Sequence, residues 1–136
     1  MAVHRPVFDP PGNEVATPFW DAIEAGEIRL PKCSNCGSWQ WYPDEAGANC
    51  PGAQLQWEPV AQTGVLHSFS VVHRNFLPGA ETTVPFAVGL VELDGVEGPR
   101  LVSTLDHPEG WAVGDRVRAR FEEVEGRSRL VFTRAD

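Results

Sequence analysis

The sequence predicts a mainly β protein: an N-terminal helix, a zinc-ribbon-like knuckle, then a five-stranded barrel of the OB-fold type. Three observations predict it. A single helical segment lies near residues 17–26, a C-x2-C pair and a third cysteine fall between 33 and 50, and from residue 59 onward five short β-rich runs follow one another. A chain of 136 residues can bury about two thirds of its unfolded surface, so it can hold a core without covalent staples. The organisation expected is an arm, helix and knuckle over 1–58 and the barrel over 59–136.

Residues 1–16 carry Pro6, Pro10, Pro11 and Gly12, and read as an extended arm that orders only against something else. In "TPFWDAIEAGEIRL", Thr17 suits an N-cap, Pro18 the first helical position and Gly26 the stop, which predicts a helix over 18–25. Asp21 and Glu24 are read as acids that favour the helix dipole. Phe19, Ile23 and Trp20 form its apolar side. "IRLPK" (28–32) reads as a short strand leading into the cysteine loop. The barrel runs are "GVLHSFSVVHR" (64–74), "PFAVGLVEL" (85–93), "RLVSTL" (100–105), "RVRARFE" (116–122) and "RLVFTR" (129–134), rich in β-branched and aromatic residues. The fourth alternates most cleanly, with Val117, Ala119 and Phe121 on one face and Arg116, Arg118, Arg120 and Glu122 on the other. Gly89 inside the second run suggests a bulge or a close backbone approach. "EGRS" reads as a turn, and "DHPEGWAVGD" is too short for a crossover helix. Five strands with one such insertion suit an OB barrel.

Charge and composition exclude whole classes of function. Nineteen acidic against eleven basic residues leave a net charge of -8, which argues against nonspecific binding to a nucleic-acid backbone. No apolar run approaches the length of a membrane span, and the N-terminus lacks the apolar region of a signal peptide. Three cysteines, an odd number with one close pair, fit metal ligation or simple thiols better than a disulfide framework, so a reducing cytoplasm is the expected compartment.

The spacing in "KCSNCGSWQWYPDEAGANCPGA" bears on metal chemistry. Cys33 and Cys36 on a tight turn can present two thiolates to one ion, and a second knuckle normally completes a tetrahedral zinc site. Here Cys50 begins the second knuckle, but Ala53 stands where its second cysteine belongs. Two readings stay open: a zinc site held by Cys33, Cys36 and Cys50 with a fourth ligand from Asp44, Glu45, a histidine or water, or a metal-free knuckle with three ordinary thiols.

The order of "FWDAIEAGEIRL", "KCSNCG", "CPGAQLQWEPV", "GVLHSFSVVHR", "PFAVGLVELDGVEGPRLVSTL" and "GDRVRARFEEV" resembles the DUF35 OB-fold family, in which a rubredoxin-like zinc ribbon is joined to an OB barrel. The resemblance runs from about Pro18 to Phe132. It implies a non-catalytic subunit that accompanies a thiolase-superfamily enzyme, a thiolase or a lipid-transfer-protein type aldolase, of steroid or fatty-acyl-CoA metabolism. A CoA thioester would then be the substrate of the complex, and a 2:2 heterotetramer its expected assembly. The family pattern has a cysteine where this chain has Ala53.

The residues themselves agree with an accessory role, because no catalytic constellation assembles. His4, His67, His73 and His107 are scattered and none lies in a recognised motif; His67 and His73 are expected on one face of a strand. Nucleotide-loop and serine-hydrolase motifs are absent. Trp20, Trp39, Trp41, Tyr42 and Trp57 crowd a segment too small to bury them all, which suits interface anchors for Trp39, Trp41 and Tyr42, with core packing an equal alternative for Trp39 and Trp41, and a junction role for Trp57. The loop "RNFLPGAETTVP" presents Arg74, Phe76 and Leu77 where an OB barrel shapes its ligand face, either to meet the partner or its acyl chain or as an ordinary solvent loop. The alternative function is an OB-face binder of single-stranded nucleic acid or oligosaccharide, which needs stacking platforms and a basic track; Phe69, Phe86 and Phe121 are expected in the core instead.

Overall fold

Apolar spacing at residues 19, 22 and 23 forms the first element, helix α1 (Thr17–Glu24), which buries Phe19, Ala22 and Ile23. In the computed structural model, which describes residues 16–43, 48, 50–74, 84–124 and 126–135, the N-cap is Ala16 and no side chain caps the helix. Thr17 therefore opens the helix instead of capping it. A helix this short draws its stability from the buried face more than from its ends. Asp21 and Glu24 fall beyond the first turn, and Glu24 does other work, accepting the Ser128 N–H at 2.9 Å. The C-terminal end is as the sequence predicts: Gly26, at φ 79°, lets its own N–H reach the Ile23 carbonyl at 3.1 Å and the Glu27 N–H reach Ala22 at 2.9 Å, a Schellman closure. The expected N-terminal arm lies outside the described residues.

Strand β1 (Arg29–Cys33) pairs antiparallel with β2 (Leu55–Pro59), from Arg29↔Pro59 to Cys33↔Leu55. The sequence reading had no strand at β2. Its residues do alternate, Leu55, Trp57 and Pro59 against Gln56 and Glu58, but the run is short and ends in proline, and β1 fixes its register. The remaining strands are β3 (Thr63–Val72), β4 (Phe86–Leu93), β5 (Leu101–Leu105), β6 (Arg116–Val124) and β7 (Arg127–Arg134). They close into a barrel in the order β3-β4-β5-β7-β6, with β5 and β7 parallel and every other pair antiparallel. The turn between β6 and β7 is tighter than "EGRS", because Val124 already pairs with Arg127.

One apolar core spans both parts. Phe19, Ile23, Ile28 and Leu30 belong to the same buried cluster as Leu66, Val91, Leu105, Val117 and Phe132. Each such side chain contributes roughly 1.5–3 kcal/mol on burial, so ribbon and barrel stabilise one another. Gly89 pairs in regular register with Phe69 and Ser103; it marks close approach, since a Cβ there would sit 2.8 Å from both Leu105 and Leu66. The bulge lies across from it, between Leu66 and Ser68. That bulge takes His67 out of register, and His73 falls past the end of β3, so the two histidines do not share a strand face. Phe69 and Phe121 are half-buried at the margin of the core and Phe86 is half-buried outside it. Fully buried Phe132 and buried Trp111 belong to the core instead.

The barrel closes across a narrow seam, where only Thr63, Gly64 and Val65 of β3 pair with Arg118, Val117 and Arg116 of β6. Asp94 clamps it. Its carboxylate accepts a bidentate pair from Arg116 at 2.9 and 2.6 Å and the Thr63 hydroxyl at 2.6 Å. The Arg116 guanidinium, then the Thr63 hydroxyl, hold the Asp94 carboxyl down at about 2 from 3.8. A depressed carboxylate stabilises the fold above its unfolded pKa and stops doing so as pH falls through the folded one. The clamp is therefore complete at neutral pH and released between pH 3.8 and about 2. The Asp94→Asn variant is expected to show a flatter loss of stability across that window than the parent chain, read from urea midpoints at successive pH values; parallel curves would remove Asp94 from the acid transition.

Candidate functional site

The three cysteines meet. Cys33 ends β1, Cys36 lies on the turn that follows it, and Cys50 is carried by the second knuckle; their sulfurs all lie within 4.8 Å of one another. Tetrahedral zinc with Zn–S of about 2.3 Å places sulfurs about 3.8 Å apart, so the trio fits three corners of such a site. The knuckles are fixed to each other by the Ser34 N–H on the Gln54 carbonyl, 2.9 Å, and the Gln54 N–H on Ser34 Oγ, 3.0 Å. Cys33 is buried, Cys50 half-buried and Cys36 exposed, and Cys36 Sγ lies 3.0 Å from Ser38 Oγ.

The electrostatics favour a cation. The backbone N–H groups of Cys36 and Asn35, with that of Cys50, aim at the Cys33 sulfur and lower its thiol pKa from 9.0 to about 6, outweighing burial. Donors to a thiolate favour its charged form. At Cys50 the Asn35 side chain favours the thiolate, but the neighbouring Cys36 and Cys33 sulfurs outweigh it and push that thiol up. With no cation among the sulfurs one thiolate forms readily, and its negative charge opposes the next. A divalent ion among the sulfurs would remove that opposition. Asp44 and Glu45, considered as fourth ligands, lie outside the described residues.

Beside the knuckle an aromatic ladder climbs from core to surface. Buried Phe19 meets Trp20 edge-on at 5.0 Å and Trp41 at 4.8 Å, and Trp41 meets Tyr42 at 4.9 Å. Tyr42 is 64% exposed. Trp39 is half-buried, pairs across an isolated bridge with Lys32, and has the Lys32 ammonium 5.0 Å from its ring centroid. It also lines a cleft of about 520 Å³ between the knuckle and the β4–β5 turn, with Gly37, Ser38, Gly95, Val96 and Glu97. Trp39, Trp41 and Trp57 all pack in part against the core, so Tyr42 is the most exposed ring of the set. Arg74 is exposed beyond the end of β3, and Phe76 and Leu77 lie outside the described residues.

Sequence reasoning passed over one surface. On β4 the buried residues alternate with half-buried Phe86, Val88 and Leu90, and across the pairing β5 offers Val102, 59% exposed, beside Leu90. The signal was in "PFAVGLVEL", an apolar run continuous over both faces. Several basic residues of β6 and β7, in contrast, are neutralised: Arg116 pairs with Asp94, Arg120 and Arg129 with Glu122, and Arg134 with Asp115. These pairs leave little of a basic track on β6 and β7. His67 lies 3.8 Å from Glu92, and His107 contacts Asp106 at 2.5 Å while stacking on Trp111 at 4.5 Å. Among the described residues neither histidine stands beside a nucleophile.

Comparison with known proteins gives a consistent likeness. Residues 20–56 match the rubredoxin-like zinc ribbon domain of ChsH2 and residues 57–122 match the ChsH2 C-terminal OB-fold domain. The fold is similar to a chain of a structure described as an Ltp2-ChsH2(DUF35) aldolase, with 25% identity and a TM-score of 0.79 over 93% of this chain and 99% of that one. A DUF35 protein of unknown function from Sulfolobus solfataricus shares the fold at 16% identity and a TM-score of 0.58, over 90% of this chain and 87% of that one. No curated protein matches the sequence.

Proposed function

Because the chain belongs to the DUF35 family, as a ChsH2-type zinc ribbon joined to an OB-fold domain, we propose that it is a non-catalytic subunit supporting a thiolase-superfamily enzyme that acts on acyl-CoA thioesters. The observation that carries this reading is the match along nearly the full length of both chains with a chain of the Ltp2-ChsH2(DUF35) aldolase. The scattered histidines and the lack of a nucleophile–base pair among the described residues support the division of labour.

In the aldolase form of this reading the substrate is a β-hydroxyacyl-CoA of steroid side-chain or fatty-acyl degradation. The partner takes the hydroxyl proton, the Cα–Cβ bond breaks, and the carbonyl product leaves while the acyl-CoA carbanion is reprotonated. This chain contributes apolar and aromatic surface beside that site and excludes water there. Zinc, when bound by Cys33, Cys36 and Cys50, supplies a cross-link between the knuckles. The assembly proposed is a 2:2 heterotetramer, following the two-fold symmetry usual among oligomeric enzymes, in a reducing cytoplasm. Among the described residues no helix is long and apolar enough to cross a membrane.

The test is affinity purification of the tagged chain from its native cells with mass spectrometry of what co-elutes. A stoichiometric thiolase-fold protein is expected, with acyl-CoA turnover by the pair and none by the chain alone. A solitary chain, one carrying oligonucleotide, or one that turns over acyl-CoA by itself would overturn the reading.

A further inference from the structure

We propose that the cysteine knuckle is a three-thiolate zinc site whose fourth corner, at Ala53, is open to solution and takes an exogenous ligand, water at rest and a small thiolate when one is present. The inference rests on the metal part of the reading above and is independent of any partner enzyme.

The placement of Ala53 carries it. Both knuckles fold back on their first cysteine: the Gly37 N–H donates to the Cys33 carbonyl at 3.0 Å and the Ala53 N–H to the Cys50 carbonyl at 3.1 Å. The first turn closes over four residues and the second over three, and in sequence position 53 stands to Cys50 as Cys36 stands to Cys33, three residues on. The paired hydrogen bonds between Ser34 and Gln54 hold that turn against the first knuckle, so residue 53 cannot swing away. A cysteine there would close the tetrahedron. Alanine offers a methyl group.

Among the described residues, no histidine, aspartate or glutamate joins the three sulfurs. Ser34 Oγ is occupied by the Gln54 N–H, and Ser38 Oγ lies against Cys36 Sγ, where a hydroxyl serves a thiolate as a hydrogen-bond donor. The open side faces outward, since Ser34, Cys36, Ser38, Pro51 and Gly52 are all exposed while Cys33 closes the floor. Zinc tolerates this arrangement: closed four-ligand sites are structural, and sites with three protein ligands keep a position for water or another donor. Three thiolates and one Zn²⁺ leave a net charge of about -1, and a soft anionic sulfur donor suits the vacant corner of a borderline-soft ion.

The experiment is cobalt substitution of the whole chain, read by its visible and near-ultraviolet spectrum, beside the Ala53→Cys variant. The parent chain is expected to bind one Co²⁺ with a sulfur-to-metal band of about three-quarters the variant's intensity, because that band grows with the number of metal–thiolate bonds. Titrating 2-mercaptoethanol or imidazole should shift the parent's spectrum and leave that of Ala53→Cys unchanged. With Zn²⁺ loaded, a chelator should strip the parent faster than the variant, by more than the roughly 10–100-fold that losing an outer-shell partner costs. The parent titration decides the matter even where the variant fails to fold. A parent spectrum indifferent to both added ligands would show a fourth protein ligand already in place, and failure to bind stoichiometric Co²⁺ or Zn²⁺ would remove the site; either result overturns the proposal.

Discussion

Gly64→Ala is expected to open the barrel. A Cβ at this position would lie 2.2 Å from the backbone oxygen of Glu92 and 3.0 Å from the Glu92 carbonyl carbon and the Leu93 Cα. All three obstacles are backbone, which has no rotamer to retreat into. Gly64 also pairs on both sides at once, with Leu93 of β4 and Val117 of β6, in the middle of the short seam that closes the barrel. Relief of the clash therefore means moving β4 or parting β3 from β6, and the Asp94 clamp beside the seam moves with it. The loss should be on the order of 3 kcal/mol or more, at the upper end of the range for overpacked sites, against a total stability of about 5–15 kcal/mol for a domain. Gly89→Ala is the informative comparison. Its Cβ also meets neighbours closely, at 2.8 Å, but these are the side-chain methyls of Leu105 and Leu66, which can rotate, so the cost should be smaller. Urea unfolding followed by near-ultraviolet circular dichroism checks both. Equal midpoints for Gly64→Ala and the parent chain would mean that the seam yields without cost.

The contrast between these glycines shows what the chain discloses before it folds. Gly89 interrupts an apolar run and so announces a close approach. Gly64 sits at the edge of a run, where a glycine reads as punctuation. Its constraint comes from two partner strands distant in sequence. The same limit bears on β2: Leu55, Trp57 and Pro59 alternate with Gln56 and Glu58, but so short a run ending in proline settles as a strand only because β1 lies beside it. The missing cap at Ala16 and the bulge at His67 belong here too, since tertiary packing decided both. What local pattern could specify was legible: the alternation of β6, the Gly26 stop, the order of the elements, and the spacing that brings Cys33, Cys36 and Cys50 together. The aromatics were legible as a group but not one by one. Composition says that residues 20–57 hold too many rings to bury, and only the fold says that Trp39 and Trp41 lean on the core while Tyr42 stands clear of it.

That distinction sets the second large effect, in binding. Tyr42→Ala is expected to weaken the complex with the thiolase-like partner by about 2 kcal/mol or more, the scale of an interface anchor, or roughly 30-fold in Kd. The ring is well prepared for the task. It is held against Trp41, which is held against buried Phe19, so little side-chain entropy remains to be lost on docking. Among the described residues the indole N–H groups of Trp20 and Trp41 are buried without an acceptor. Each such group costs about 1–3 kcal/mol. Because Tyr42 is mostly exposed, its removal should leave the urea midpoint of the free chain within about 0.5 kcal/mol of the parent, so lost binding cannot be blamed on lost folding. Trp41→Ala lacks that virtue, since it would also strip the flank of Phe19. Calorimetric titration against the co-purified partner measures the effect. The exposed Val102, beside Leu90 on the outer wall of β4 and β5, supplies the competing surface: an unchanged Kd for Tyr42→Ala with a large loss for Val102→Asp would move the interface from the ribbon to the barrel wall.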